Sequence, residues 1–81
     1  MEFVIHFGRD AVLEDEALSL ARRLFAQFDE AIDALSLIPI GEPELDLHLN
    51  GRLVHSYRDS GRFPRLADVA GYVMRSSISQ V

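Results

Sequence analysis

The stretch Gly8-Arg9-Asp10-Ala11 follows an alternating apolar run and precedes a helical apolar pattern, so it is predicted to join a strand to a helix. Such a junction can bind phosphate, because a helix N-terminus presents free N–H groups and glycine permits close approach. Arg9 would add positive charge, but several carboxylates of the same stretch would repel an anion. These acids are Asp10, Glu14, Asp15 and Glu16. We therefore predict no catalytic or phosphate-binding role for the junction.

Histidines are the other candidate ligands. His6, His48 and His55 are each predicted to point away from the apolar side of their strands, and Asp46 is predicted to face His55 across a hairpin. Four such groups on one sheet face have the chemistry to bind zinc or nickel. Solvated sheet faces with an Asp–His pair are common, however. We therefore predict no metal site and retain the four residues as weak candidates.

Two further kinds of catalytic site are not supported. Glu44 and Asp46 share one face of a strand without a flanking apolar pocket that would raise a pKa, so they are interpreted as a solvated edge. Ser56 lacks the glycines of a nucleophile elbow.

The composition narrows the classes of function. The 81 residues are enough for a single domain, predicted to span 1–81. Cysteine is absent, which excludes disulfides, thiol catalysis and thiolate metal sites. No apolar run approaches the roughly 18 residues of a membrane span, and the N-terminus does not look like a signal peptide. We expect a cytoplasmic protein that does not bind membranes.

Charge is unevenly distributed along the chain. Residues 1–46 carry eleven acids and three arginines, a net charge of −8, whereas residues 47–81 carry two acids and five arginines, a net charge of +3. The chain as a whole has a net charge of −5 and no lysine. Because phosphate contacts need clustered basic residues, we expect no nucleic-acid binding.

Periodicity predicts the elements in the order β-α-β-β-β-α. The first strand contains Phe3, Ile5 and Phe7, and residues 34–40 form a second strand that Pro39 assigns to a sheet edge. The last helix begins at Pro64, and residues 76–81 are expected to be a frayed tail. Each helix has one apolar stripe. The stripes are Ala17, Leu20, Ala21, Leu24, Phe25 and Phe28 in the first helix, and Leu66, Val69, Ala70, Val73 and Met74 in the last.

The clearest local signal is Asn50-Gly51 between two alternating runs, which predicts a hairpin with a type I′ turn. The turn sets the expected pairs as Leu47 with Val54, Asp46 with His55 and His48 with Leu53. A helix between the first two strands predicts a parallel pair with a right-handed crossover. The result is a two-layer α/β (α+β) domain with both helices on one face of the sheet.

Several segments resemble the selenoprotein W-like (Rdx) family of the thioredoxin-like fold. They are "NGRLVHS" from Asn50 to Ser56, Gly61, "FP" at Phe63-Pro64, "LSLIP" from Leu35 to Pro39, and the strand leading into Gly8-Arg9-Asp10-Ala11. The resemblance implies a four-stranded mixed sheet in the order 2-1-3-4. Members of the family carry Cys-x-x-Cys, or selenocysteine in place of one cysteine, where this chain has Gly8 and Ala11. The fold can place a cis-proline at Pro43.

Because the redox positions hold no thiol, we predict a non-enzymatic module for protein binding or regulation, without a cofactor. The alternative is a component of a thiol-redox system that acts through glutathione, a bound cofactor or a partner's thiol. A protein or peptide partner, or a second copy in a homodimer, is expected to meet the uncovered sheet face. The residues predicted to contact it are Val4, His6, Ile38, Pro43, Leu53, His55 and Tyr57.

Overall fold

Four strands form one mixed sheet in the order β2-β1-β3-β4, as the family resemblance implies. The computed structural model describes residues 1–79, with side chains through residue 75. The elements are β1 (Glu2–Gly8), α1 (Ala11–Phe28), β2 (Ala34–Ile40), β3 (Leu45–Leu49), β4 (Arg52–Ser56), α2 (Tyr57–Ser60) and α3 (Leu66–Ser79). A short 3-10 turn, Asp29–Ala31, follows α1. Strand β1 pairs with β2 in parallel and with β3 in antiparallel orientation.

The core lies between the sheet and helices α1 and α3. Its buried side chains come from one face of β1 and β3 and from the inner faces of the helices. They are Phe3, Ile5, Leu13, Ala17, Leu20, Ala21, Leu24, Leu45, Leu47, Leu49 and Val69. The opposite face of the sheet, on the side of Val4 and His6, has no helix of the described chain packed on it. The layered arrangement is therefore as predicted.

Each predicted helical stripe contains residues that are exposed, although Phe28 at the end of α1 packs against the core as predicted. Phe25 is 50% exposed, Val73 39% and Met74 65%, and Ala70 is also exposed. Val69 is the residue of α3 that reaches the buried core, and Leu66 and Tyr72 pack against it in part.

The start of α3 also differs from prediction. Pro64 is fully buried but precedes the helix, which begins at Leu66. The helix continues through Ser79, and fraying of this end stays a prediction. The predicted tail at Gln80 and Val81 lies outside the described residues. None of the described helices combines the length and the apolar character needed to cross a membrane.

The β3–β4 hairpin has the predicted turn but only part of the predicted register. Asn50 and Gly51 both have positive φ, at 52° and 82°, as a type I′ turn requires. His48 pairs with Leu53 as predicted. Beyond that pair the register shifts, and Leu47 pairs with His55 instead of Val54. Val54 is therefore an extra, bulged residue, and every β4 residue after it is displaced relative to the prediction.

Candidate functional site

A shallow cleft of about 270 Å³ lies at the junction between β1 and α1. Its lining comes from the end of β1, the start of α1 and the loop between β2 and β3. The lining residues are Gly8, Arg9, Asp10, Ile40, Gly41, Glu42 and Pro43. All peptide bonds of the described chain are trans, so Pro43 is not the cis-proline that its position allowed.

Gly8 is held tightly by the β2–β3 loop. Its N–H donates to the Glu44 carbonyl at 2.8 Å. A Cβ atom on Gly8 would lie 2.8 Å from the Glu42 carbonyl oxygen and 2.8 Å from Leu13 Cδ1. Real Cβ contacts are longer than this, and a backbone oxygen cannot move aside as a flexible side chain can. The backbone therefore occupies the space that a side chain at residue 8 would need.

The start of α1 is capped by a neighbouring side chain. The Asp10 carboxylate accepts a hydrogen bond from Leu13 N at 2.9 Å, which makes Asp10 the N-cap. Glu14 adds a second carboxylate in the first turn. An incoming phosphate would have to displace Asp10 and overcome this negative charge. These contacts support the prediction that the junction does not bind phosphate.

The open sheet face, which we define by Val4, His6, Ile38 and Leu53, also carries Asp46 and His48. The registers place His6 beside Ile38 on β2 and beside Asp46 on β3, while His48 lies opposite Leu53. The rings of His6 and His48 meet edge to face with centroids 5.3 Å apart. The described residues nevertheless contain no group of three or more His, Asp or Glu side chains placed to hold a metal ion.

Two polar atoms of the open face, Asp46 Oδ1 and His48 Nδ1, are buried without a hydrogen-bond partner in the described chain. Burial raises the pKa of Asp46, and the negative charge of Glu44 raises it further, although Ser56 and the two nearby histidines act in the opposite direction. The centre of the open face is consequently polar, and two of its buried polar atoms lack hydrogen-bond partners in the described chain. Apolar residues surround it.

His55 is not on the open face, which corrects the prediction. The bulge at Val54 turns His55 towards the helices, where its side chain is 8% exposed. Its Nε2 lies 3.0 Å from the Arg62 carbonyl oxygen and 2.8 Å from Ser60 Oγ. Its Nδ1 lies 3.6 Å from Asp68 Oδ2. His55 therefore links β4, the loop after α2 and helix α3, and it is not available to a partner on the open face.

Tyr57 is the second correction. It begins the four-residue helix α2 instead of continuing β4, and its ring stacks on Phe63 with centroids 4.9 Å apart. The sequence did contain a signal for this helix. Ser56 accepts a hydrogen bond from Asp59 N as the N-cap, and Gly61 ends the helix with φ 76°. A Ser-x-x-Asp box followed by glycine is a recognised pattern for a capped helical turn.

Glu44 was predicted to be solvated, but its side chain is only 7% exposed. Its carboxylate accepts hydrogen bonds from Leu45 N and Arg58 N, both at 2.8 Å, and from Ser56 Oγ at 3.2 Å. Burial alone would raise the pKa of Glu44, but these hydrogen bonds and the Arg58 charge together lower it. Glu44 thus fixes the start of β3 to the first turn of α2. Alternation along the strand could not show this, because two of the donors are backbone N–H groups and one of these, Arg58 N, belongs to helix α2.

Ser60, His55 and Asp68 have the residue types of a hydrolytic triad, but their contacts are structural. The Ser60 hydroxyl donates to the Ser56 carbonyl at 2.7 Å and lies 3.0 Å from the Arg62 carbonyl. Asp68 is held by the Arg62 guanidinium at 2.6 and 2.9 Å. The same hydroxyl also lies 2.8 Å from His55 Nε2, but Asp68 Oδ2 is 3.6 Å from His55 Nδ1, too far for the hydrogen bond that orients the base of a triad.

Comparison with solved structures shows what this chain resembles. A scan against protein-family models gives no match, and a search of curated proteins gives none. The crystal structure of the selenoprotein W-related protein from Vibrio cholerae superposes with a TM-score of 0.79 at 20% identity, over 91% of this chain and 92% of that one. A protein from Bordetella parapertussis gives 0.78 at 19% identity, over 93% and 95% of the two chains. The chain thus has the thioredoxin-like fold of selenoprotein W-related proteins.

Proposed function

We propose that this chain is a non-enzymatic selenoprotein W-like domain that binds a protein partner or regulates it. The observation that carries the proposal is the tight packing around Gly8, at the position where the family that this chain resembles has the first residue of its redox motif. A Cβ there would meet the Glu42 carbonyl at 2.8 Å, and the sequence contains no cysteine at all. The domain therefore has no thiol of its own to exchange electrons with a disulfide.

The surface proposed for the partner is the open sheet face. Ile38 is 40% exposed on the edge strand β2, and Leu53 is 48% exposed on the other edge strand, β4. Natural edge strands are commonly protected by charged residues, yet β2 has no charged residue between Ala34 and Ile40. Exposed apolar side chains around a polar centre, beside an uncharged edge strand, are the kind of surface that other chains bind. Pro43 lines the junction cleft together with Gly8 and Ile40, the last residues of β1 and β2.

Charge favours a partner of different sequence over a second copy. Each copy would bring a net charge of −5 to a homodimer, and the half of the chain that contains β1, α1 and β2 carries −8. Two copies with this net charge repel each other at long range, whereas a basic partner would be attracted. The proposed partner segment is therefore apolar and basic.

The test uses two charge substitutions on the open face, Ile38→Glu and Leu53→Glu. The matched control is Leu18→Glu, because Leu18 is 46% exposed but lies on helix α1. Partners captured by the wild type should be retained by the control and lost by the double variant, and a purified partner should reproduce this order of affinity. Equal binding by all three proteins would contradict the proposal. Sedimentation as a dimer that only the double variant dissociates would replace the partner with a second copy.

A further inference from the structure

We propose that a second cleft, between α1 and the segment that precedes α3, binds a phosphate group. The cleft has a volume of about 280 Å³. Its lining comes from two half-buried residues of α1 and from the loop that leads into α3. The lining residues are Glu16, Arg23, Arg62, Phe63, Pro64 and Arg65. This site is separate from the open sheet face, so the inference does not depend on the proposed function.

Positive charge is concentrated at this cleft. Three arginines line it, out of the eight basic residues in a chain whose net charge is −5. Glu16 is the single acid among the lining residues. Because the arginines come from two separate elements, their convergence is a property of the fold and cannot be seen as a run of basic residues in the sequence. A local excess of positive charge on an acidic protein favours an anionic ligand.

The three guanidinium groups are engaged to different extents. Arg62 is fixed by Asp68 through contacts of 2.6 and 2.9 Å, and Asp68 balances its charge. Arg23 donates from Nε to the Ser19 carbonyl at 3.3 Å. Among the described residues, neither the Arg23 nor the Arg65 guanidinium forms an ion pair, although the Arg65 backbone N–H donates to Asp68 Oδ2 at 2.8 Å. Both therefore retain donors that can be directed at a ligand.

The chemistry of these donors matches a tetrahedral dianion. A guanidinium group presents planar pairs of N–H donors, and phosphate accepts them in a bidentate geometry. The partly buried ring of Phe63 adds an apolar wall for the group that carries the phosphate. Two sources have this chemistry, a free phosphorylated metabolite and a phosphorylated side chain of another protein.

The experiment is an NMR titration of the full chain with inorganic phosphate at constant ionic strength, with chloride as the reference anion. Saturable shifts are expected at the amides of Phe63 and Arg65. Arg23→Ala and Arg65→Ala should each weaken binding roughly tenfold, the loss expected for one charge-assisted hydrogen bond. Arg22→Ala is the matched control, because Arg22 is adjacent and exposed but does not line the cleft. Arg62 is left unchanged because it also holds Asp68.

Glu16→Gln provides a test in the opposite direction. Removing the single acid of the cleft should tighten phosphate binding several-fold, which loss of structure would not produce. A phosphoserine peptide that binds more tightly than inorganic phosphate, while its unphosphorylated form does not bind, would identify a protein source. Equal binding of peptide and inorganic phosphate would favour a small metabolite. Shifts that do not saturate, or affinities unaffected by Arg23→Ala and Arg65→Ala, would overturn the proposal.

Discussion

The Glu42 carbonyl oxygen lies 2.8 Å from the point where a Gly8 Cβ atom would be. The same loop accepts the Gly8 N–H through the Glu44 carbonyl at 2.8 Å. The end of β1 and the loop before β3 are thus packed backbone against backbone. Glycine at residue 8 is a requirement of this packing, and a thiol there would have to displace the loop.

Gly8→Ala should therefore destabilise the fold, by about 1–3 kcal/mol, the usual cost of forcing extra atoms into a packed site. The matched control is Gly41→Ala in the same cleft, because a Cβ there has no neighbour within 4 Å. Its free energy of unfolding should stay within about 0.5–1 kcal/mol of the wild type. Urea denaturation measures both. Equal stability of the two variants would mean that the loop is free to move.

The sequence was sufficient to predict the layers and the Asn50-Gly51 turn, because these depend on periodicity and local turn chemistry, while the strand order followed from the family resemblance. It was not sufficient to predict the bulge at Val54, because the register was set from the turn alone, and a turn does not show where an extra residue enters a strand. The bulge explains why His55 and Tyr57 were assigned to the wrong surface and why Glu44 was thought to be solvated. A shift of one residue in register therefore changed which residues were assigned to the open face, but it did not change the predicted fold.

Gly51→Val tests the turn. Gly51 has φ 82°, a conformation that costs L-residues about 1–2 kcal/mol and β-branched residues more. A drop in melting temperature of several degrees is expected for a domain of this size. Asn50→Gly is the control, because glycine adopts the φ of 52° at that position readily. An unchanged melting temperature for Gly51→Val would contradict the turn assignment.

Asp68 should make stability depend on pH in the acid range. Hydrogen bonds from Arg62 hold the pKa of Asp68 at about 2, below its ordinary 3.8, although burial acts against them. Because the folded pKa is the lower one, this stabilisation is present above about pH 4 and is lost as pH falls towards 2. The contribution is about 2 kcal/mol.

The pH prediction is checked with Asp68→Asn. The variant should be less stable than the wild type at pH 6, and the difference should shrink as pH falls from about 4 to 2. Chemical denaturation at several pH values measures this. A difference that stays constant over the whole range would show that the Asp68 charge does not contribute.

Glu44 and Glu42 contact the same arginine from different environments, which allows a direct comparison. The Glu44 side chain is 7% exposed, while that of Glu42 is 67% exposed and lies 2.5 Å from Arg58 Nη2. Glu44→Ala should cost at least about 2 kcal/mol, because Leu45 N and Arg58 N lose their acceptor. Glu42→Ala should cost less than about 1 kcal/mol, as exposed ion pairs do. Similar losses in the two variants would contradict the structural role assigned to Glu44.

The central claim, that this thioredoxin-like domain works without redox chemistry, is tested most directly by its turnover of disulfides and peroxides. The purified protein should be assayed for insulin reduction and hydroperoxide consumption, alone, with glutathione, and with a thiol-bearing partner once one is captured. The account predicts background rates in all three cases, because neither Gly8 nor any other residue supplies a thiol. A rate that rises in proportion to the protein concentration, with glutathione or with the partner, would contradict the account and favour the redox alternative.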